Sequence, residues 1–120
     1  MSEATISQLS FLIVDDEPLM VGLSKRVLQE LGAEAIESAP NGARALEMLR
    51  DNADVNIVLC DLNMPEMDGV ELTRHLADLG FRGGLVFLSG EEDGLLRTAR
   101  QLAEAHRLNV LATLQKPHIV

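Results

Sequence analysis

Short apolar runs recur along this chain, and each one stops at a residue able to do chemistry. Phe11-Leu12-Ile13-Val14 stops at Asp15-Asp16, the run 55–60 at Asp61, Leu85-Val86-Phe87-Leu88 at Ser89, and the run 110–114 shortly before Lys116. Runs that are apolar on consecutive residues suit strands covered on both faces, as in a parallel sheet. Between them lie segments with helical spacing. Leu23, Val27 and Leu31 fall four residues apart, with Asp16 and Pro18 as start signals and Gly32 as a stop. Asn41-Gly42 opens a second segment with Ala45, Leu46 and Leu49 on one face; a third ends near Leu79, and a fourth spans about 95–106. The shorter, more polar run 34–38 predicts a strand near a sheet edge. Five strands alternating with four helices imply right-handed crossovers and an α/β doubly wound domain with a parallel sheet.

Length and charge narrow the function classes. The 120 residues suit one domain, with residues 1–9 as a lead-in and 10–120 as the folded unit. Ten basic against 19 acidic residues give a net charge of −9, which argues against direct nucleic-acid binding. The absence of Trp and Tyr removes most stacking platforms for single strands. No apolar run reaches membrane-spanning length, and residues 1–10 lack the basic and apolar regions of a secretory signal. The lone Cys60 has no internal disulfide partner, which fits a reducing, cytoplasmic setting; it is expected to pack as a small buried residue.

In open α/β sheets, ligands bind outside the carboxyl ends of the strands. Asp15, Asp16, Asp61, Ser89 and Lys116 therefore converge on one end of the sheet. Three crowded carboxylates repel, and either a proton or a cation must offset them. An all-oxygen set suits a hard cation such as Mg²⁺. His75, His106 and His118 are scattered and join no Cys at a zinc-ligand spacing, so they are expected at the surface. Met64 and Met67 are expected to pack in a loop and the core. A carboxylate beside a divalent cation can attack phosphorus and form an acyl phosphate, with Lys neutralising the phosphoryl oxygens and a Ser hydroxyl bonding one of them.

These pieces resemble a response-regulator receiver domain of two-component signalling. The similarity is carried by Phe11-Leu12-Ile13-Val14-Asp15-Asp16-Glu17, by Asp61-Leu62-Asn63-Met64-Pro65-Glu66-Met67-Asp68-Gly69, by Ser89-Gly90 and by Lys116-Pro117, over about residues 10–117. The resemblance implies a flavodoxin-like sheet of order 2-1-3-4-5. It implies Asp61 as phosphoacceptor. It assigns Mg²⁺ to Asp16 directly, to Asp15 beside it, to Asp61 and to the backbone carbonyl of Asn63. Lys116 pairs with the acceptor and then the phosphoryl group, and Ser89 follows the phosphoryl oxygen. Asn63 and Glu91 stand where the family tunes phosphoryl lifetime. Pro65 and Gly69 shape the acceptor loop, and Pro117 fixes the bond after Lys116, often cis in this family. The implied partners are a sensor histidine kinase or phosphotransfer protein and a downstream output domain, with self-phosphorylation and autodephosphorylation as the sole chemistry of the domain itself.

Two departures qualify the resemblance. Receivers often carry Tyr or Phe three residues before the strand-five Lys; here that residue is Thr113, so switching is expected through the strand-four loop and fourth helix, without a ring flip. Only His118-Ile119-Val120 follow Lys116-Pro117, so the family's fifth helix is expected to be missing and an apolar face beside the first helix exposed. That also weakens the homodimer interface, built on the fourth helix, fifth strand and fifth helix, that is common among receivers. The stretch Leu111-Ala112-Thr113-Leu114-Gln115-Lys116-Pro117 further resembles receivers joined to EAL-type cyclic-di-GMP phosphodiesterase domains. Two other functions compete. An aspartyl-phosphate phosphatase wants a second Asp two residues after the nucleophile, where this chain has Asn63. A pseudo-receiver that only binds partners has no need of the full set of carboxylates and Lys.

Overall fold

The computed structural model describes residues 5–52, 54–64, 67–89 and 94–115. A short 3-10 turn, Ile6–Gln8, leads into β1 (Ser10–Val14). There follow α1 (Pro18–Glu30), β2 (Ala35–Ala39), α2 (Gly42–Asp51), β3 (Ile57–Asp61), α3 (Gly69–Leu79), β4 (Gly84–Ser89), α4 (Gly94–Ala105) and β5 (Asn109–Gln115). The five strands are all parallel, in the order β2-β1-β3-β4-β5. This is the flavodoxin-like order; four α-helices, and no fifth, occur among the described residues.

The strand residues alternate between the two faces, as the pleat requires. Leu12, Val14, Val58, Cys60, Leu85 and Phe87 join Ala45, Leu46 and Leu49 of α2, Leu72 and Leu76 of α3, and Ala99 and Ala103 of α4 in the larger core. Phe11, Ile13, Leu59 and Leu88 pack on the other face against Leu28 of α1. Among the described residues, one helix thus serves a face on which the strands present apolar side chains from edge to edge. Between α1 and β5 this leaves an apolar groove of about 300 Å³, walled by Leu23, Val27 and Leu31 and floored by Ile57, Leu59, Val86, Leu88 and Leu114. Val27, Leu31 and Leu114 remain more than half exposed. The four-residue spacing of Leu19, Leu23, Val27 and Leu31 places them along one edge of the helix.

Helix ends follow local chemistry. Asn41 caps α2 by accepting from the Arg44 N–H at 2.8 Å, and Asp68 caps α3 by accepting from Glu71 N–H at 2.9 Å. Gly80 ends α3 in the left-handed region, at φ 78°. Two strands differ slightly from the run-based expectation. β3 starts at Ile57, since the Asn56 side chain accepts the Ser10 N–H at 2.7 Å and its own N–H donates to the Ser10 carbonyl at 2.9 Å. That pairing pins the amino ends of β1 and β3. In β5 the register slips: Leu85 pairs with Val110 but Val86 with Ala112, leaving Leu111 bulged and exposed.

Candidate functional site

Adjacent strands place the key carboxylates side by side. Val14 and Cys60 are register partners, so the next residues, Asp15 and Asp61, leave neighbouring strands at the same level. Both are almost completely buried, at 1% and 0% exposure. Each is organised the same way by its own chain: Asp15 Oδ1 accepts the Glu17 N–H, and Asp61 Oδ1 accepts the Asn63 N–H, both at 3.0 Å. An Asx turn of this kind satisfies a backbone donor and bends the chain just past the strand. Asp15 N–H continues the ladder to the Ala39 carbonyl at 3.1 Å, and Leu62 N–H donates to the Leu88 carbonyl at 3.0 Å.

Asp15, Asp16, Glu17 and Asp61 each offer an oxygen within 4.8 Å of the others. Asp16 and Glu17 are exposed, so the cluster opens to solvent on one side and is walled by protein on the other. Such a set carries a formal charge of −4. It is short of positive charge and rich in hard oxygen donors, and it fits one divalent cation of the Mg²⁺ or Ca²⁺ type. No comparable group of Cys and His occurs among the described residues.

The loop after Asp61 is held by Gly69. Its N–H donates to the Leu62 carbonyl at 3.2 Å, and a Cβ there would lie 2.7 Å from Leu62 Cα and 3.0 Å from the Asp61 carbonyl oxygen. The two ends of the loop approach too closely for any side chain. Thr73 Oγ1, fully buried, donates to the Gly69 carbonyl at 2.6 Å and ties this point to α3.

Ser89, 6% exposed, ends β4 one residue beyond the Asp61–Leu88 register pair, and its own partner on β5 is Gln115. Thr113 pairs with Phe87 and is half-buried. Asn63 is exposed and Met64 buried. Lys116, Pro117, His118, Pro65 and Glu91 lie outside the described residues. His106 is exposed and His75 half-buried, far from any Cys in sequence. Cys60 is buried beside the carboxylates; burial, and then the negative charge of Asp61, push its thiol far above the ordinary range. It is a packing residue and not a nucleophile at neutral pH.

Glu17 is the residue that the strand-end pattern did not single out. It lies three residues past the strand, at the helix entry, where an acidic residue is expected anyway. The turn at Asp15 brings its carboxylate back to the cluster. Its place in the unbroken run Asp15-Asp16-Glu17 was the available signal.

Comparison with known proteins agrees with this geometry. Residues 11–118 match the family profile described as response regulator receiver domain. The chain is 34% identical over 113 residues to the cyclic di-GMP phosphodiesterase RocR of Pseudomonas aeruginosa, covering 93% of this chain and 29% of RocR. It is 36% identical over 87 residues to the chemotaxis protein CheY1 of Helicobacter pylori (strain J99), covering 72% of this chain and 70% of that one. A solved response regulator from Colwellia psychrerythraea superposes with a TM-score of 0.76 at 36% identity, over 91% of this chain and 85% of the other. No helix among the described residues is long and apolar enough to cross a membrane. The matched segment, the strand order and the paired carboxylates at the carboxyl end of the sheet together place the chain in the response-regulator receiver domain family of two-component signalling.

Proposed function

We propose that this domain accepts a phosphoryl group on Asp61 from a histidine kinase or phosphotransfer protein and uses it to switch the surface around β4 and α4. The observation that carries the reading is the buried pair Asp15 and Asp61 on adjacent strand ends, with Asp16 and Glu17 in reach of the same point. An Asp61 oxygen forms a bond to phosphorus while the phosphorus–nitrogen bond of the donor phosphohistidine breaks; the imidazole leaves with the electron pair and takes up a proton. Asp16, Asp61 and the Asn63 carbonyl, with Asp15 beside them, would hold Mg²⁺, which when bound would supply positive charge to offset the phosphoryl oxygens.

The remaining roles belong to the chain. The Asx turn between Asp61 and Asn63 holds one carboxylate oxygen against its own backbone and so fixes the orientation of the acceptor carboxylate. Ser89 stands one residue past the register partner of Asp61, within the same strand-end row, and its hydroxyl is suited to bond the attached group. Lys116 directly follows Gln115, the register partner of Ser89, and serves as the cation for the phosphoryl oxygens. Asn63 and Glu91 set how readily water reaches the acyl phosphate. Pro65, Gly69 and Pro117 shape the loops that carry these groups. With Thr113 in place of an aromatic ring, the output is movement of the segment after Ser89 together with α4. Similarity to RocR supports an output of the cyclic-di-GMP phosphodiesterase class, supplied outside these residues.

Beryllofluoride titration in the presence of Mg²⁺, followed by amide chemical shifts, tests the reading. Saturable shifts at Asp61, Ser89 and the first turns of α4, lost in Asp61→Ala, are expected. No binding, or binding indifferent to Asp61→Ala, would leave an interaction module. Turnover of small phosphate esters would instead indicate a phosphatase, a reading that Asn63 disfavours since it has no proton to exchange as an acid or base.

A further inference from the structure

We infer that Glu17 is a fourth carboxylate of the cation site and sets its preference between small and large divalent ions. The inference rests on the proposed reading of this acidic end as a cation site and adds a residue that the strand-end logic leaves out.

The geometry is simple. Oxygens of Asp15, Asp16, Glu17 and Asp61 all lie within 4.8 Å of one another. Opposed ligand oxygens are about 4.1 Å apart around Mg²⁺ and about 4.8 Å apart around Ca²⁺. Four oxygens inside that envelope can share one ion of either size. The two ions use such a set differently. Mg²⁺ demands a near-ideal octahedron, keeps several waters and takes one or two carboxylates. Ca²⁺ tolerates six to eight oxygens in irregular geometry, and its affinity rises with the number of charged ligands. Asp15 and Asp61 are fixed by burial and by their turns, so they form the rigid half of the site. Glu17 is exposed and stands at the end of the turn whose backbone N–H binds Asp15. It forms the adaptable half, able to close on a large ion and to act on a small one through water. A longer side chain at this position therefore favours the larger ion.

Calorimetric titration of the intact chain with MgCl₂ and, separately, CaCl₂ tests this; the absence of Trp and Tyr makes heat a better signal than intrinsic fluorescence. Glu17→Gln keeps size and removes charge; Glu17→Asp keeps charge and shortens reach. In Glu17→Gln, Ca²⁺ affinity is expected to fall about tenfold and Mg²⁺ affinity about threefold, as loss of a ligand against loss of a remote charge. Glu17→Asp should keep the Mg²⁺ affinity and lose part of the Ca²⁺ affinity. Equal losses for the two ions in Glu17→Gln, or no loss, would overturn the inference while leaving the receiver reading intact. Failure of the unmodified chain to bind either ion would overturn both. Glu17 is exposed, so circular dichroism should show all variants folded.

Discussion

Asp15 and Asp61 lie one residue beyond a register pair, Val14 and Cys60, on adjacent parallel strands, and both are buried. Parallel pairing without slip across β1 and β3 makes this proximity a consequence of register alone. Two like charges placed so by the backbone cannot relax apart, and the fold carries their repulsion whenever no cation offsets it.

Asp15→Asn should therefore raise stability in the presence of a chelator, by about 1–2 kcal/mol, because it removes one charge at nearly constant shape. The same change should weaken cation binding. Addition of Mg²⁺ should stabilise the unmodified chain in proportion to the logarithm of its concentration and stabilise Asp15→Asn less. Thermal unfolding with and without Mg²⁺ checks both statements; a less stable Asp15→Asn in chelator would refute the first.

Gly69→Ala should cost about 2–4 kcal/mol, since a methyl group at 2.7 Å from Leu62 Cα and 3.0 Å from the Asp61 carbonyl must push backbone rather than a flexible side chain. The displacement falls on the loop after Asp61. Beryllofluoride affinity should drop along with stability, whereas Gly22→Ala, which meets nothing within 4 Å, should leave affinity unchanged. Urea unfolding and the beryllofluoride titration measure the two effects.

Much of this arrangement was legible in the chain. The run Phe11–Val14 followed by two acids predicts a buried strand with chemistry at its end, and Gly32 and Asn41 punctuate helices as local rules require. Less legible were features set by pairing between distant residues. Asn56 looks like part of an apolar run, yet its amide takes the Ser10 N–H and delays β3 by two residues beyond Val55. The bulge at Leu111 arises from the fit of β5 on β4 and has no turn residue to announce it. Glu17 follows Asp15 and Asp16 directly in the chain, but that its carboxylate shares their cluster depends on the turn at Asp15.

The thiol of Cys60 should resist alkylation by iodoacetamide in the folded domain at pH 8 and react on unfolding, because burial and Asp61 hold it protonated. The shift also implies a pH dependence of stability. The unfolded thiol ionises near pH ~8.5, while the folded one stays neutral well above that. Ionisation thus favours the unfolded state. The contribution is full below the unfolded value and falls as pH rises from there toward the folded value. Cys60→Ala should flatten the alkaline fall in stability, at the cost of a small cavity; equal slopes for the two proteins would show that burial at this position does not control ionisation.

The apolar groove between α1 and β5 makes a separate demand. Leu31 and Leu114 are 60% and 52% exposed, so neither contributes much to the core of the domain as described. Their replacement by Lys should change stability by no more than about 0.5 kcal/mol. The same replacements should sharply reduce binding of a hydrophobic dye such as anilinonaphthalene sulfonate and raise solubility, because they interrupt a continuous patch walled by Val27 and floored by Leu59 and Leu88. Cation binding by Asp15, Asp16, Glu17 and Asp61, none of which lines the groove, should be untouched. A large loss of stability in Leu114→Lys would mean that this side chain is packed in solution, and the groove closed. Retained dye binding with retained stability would place the exposed apolar surface elsewhere on the molecule.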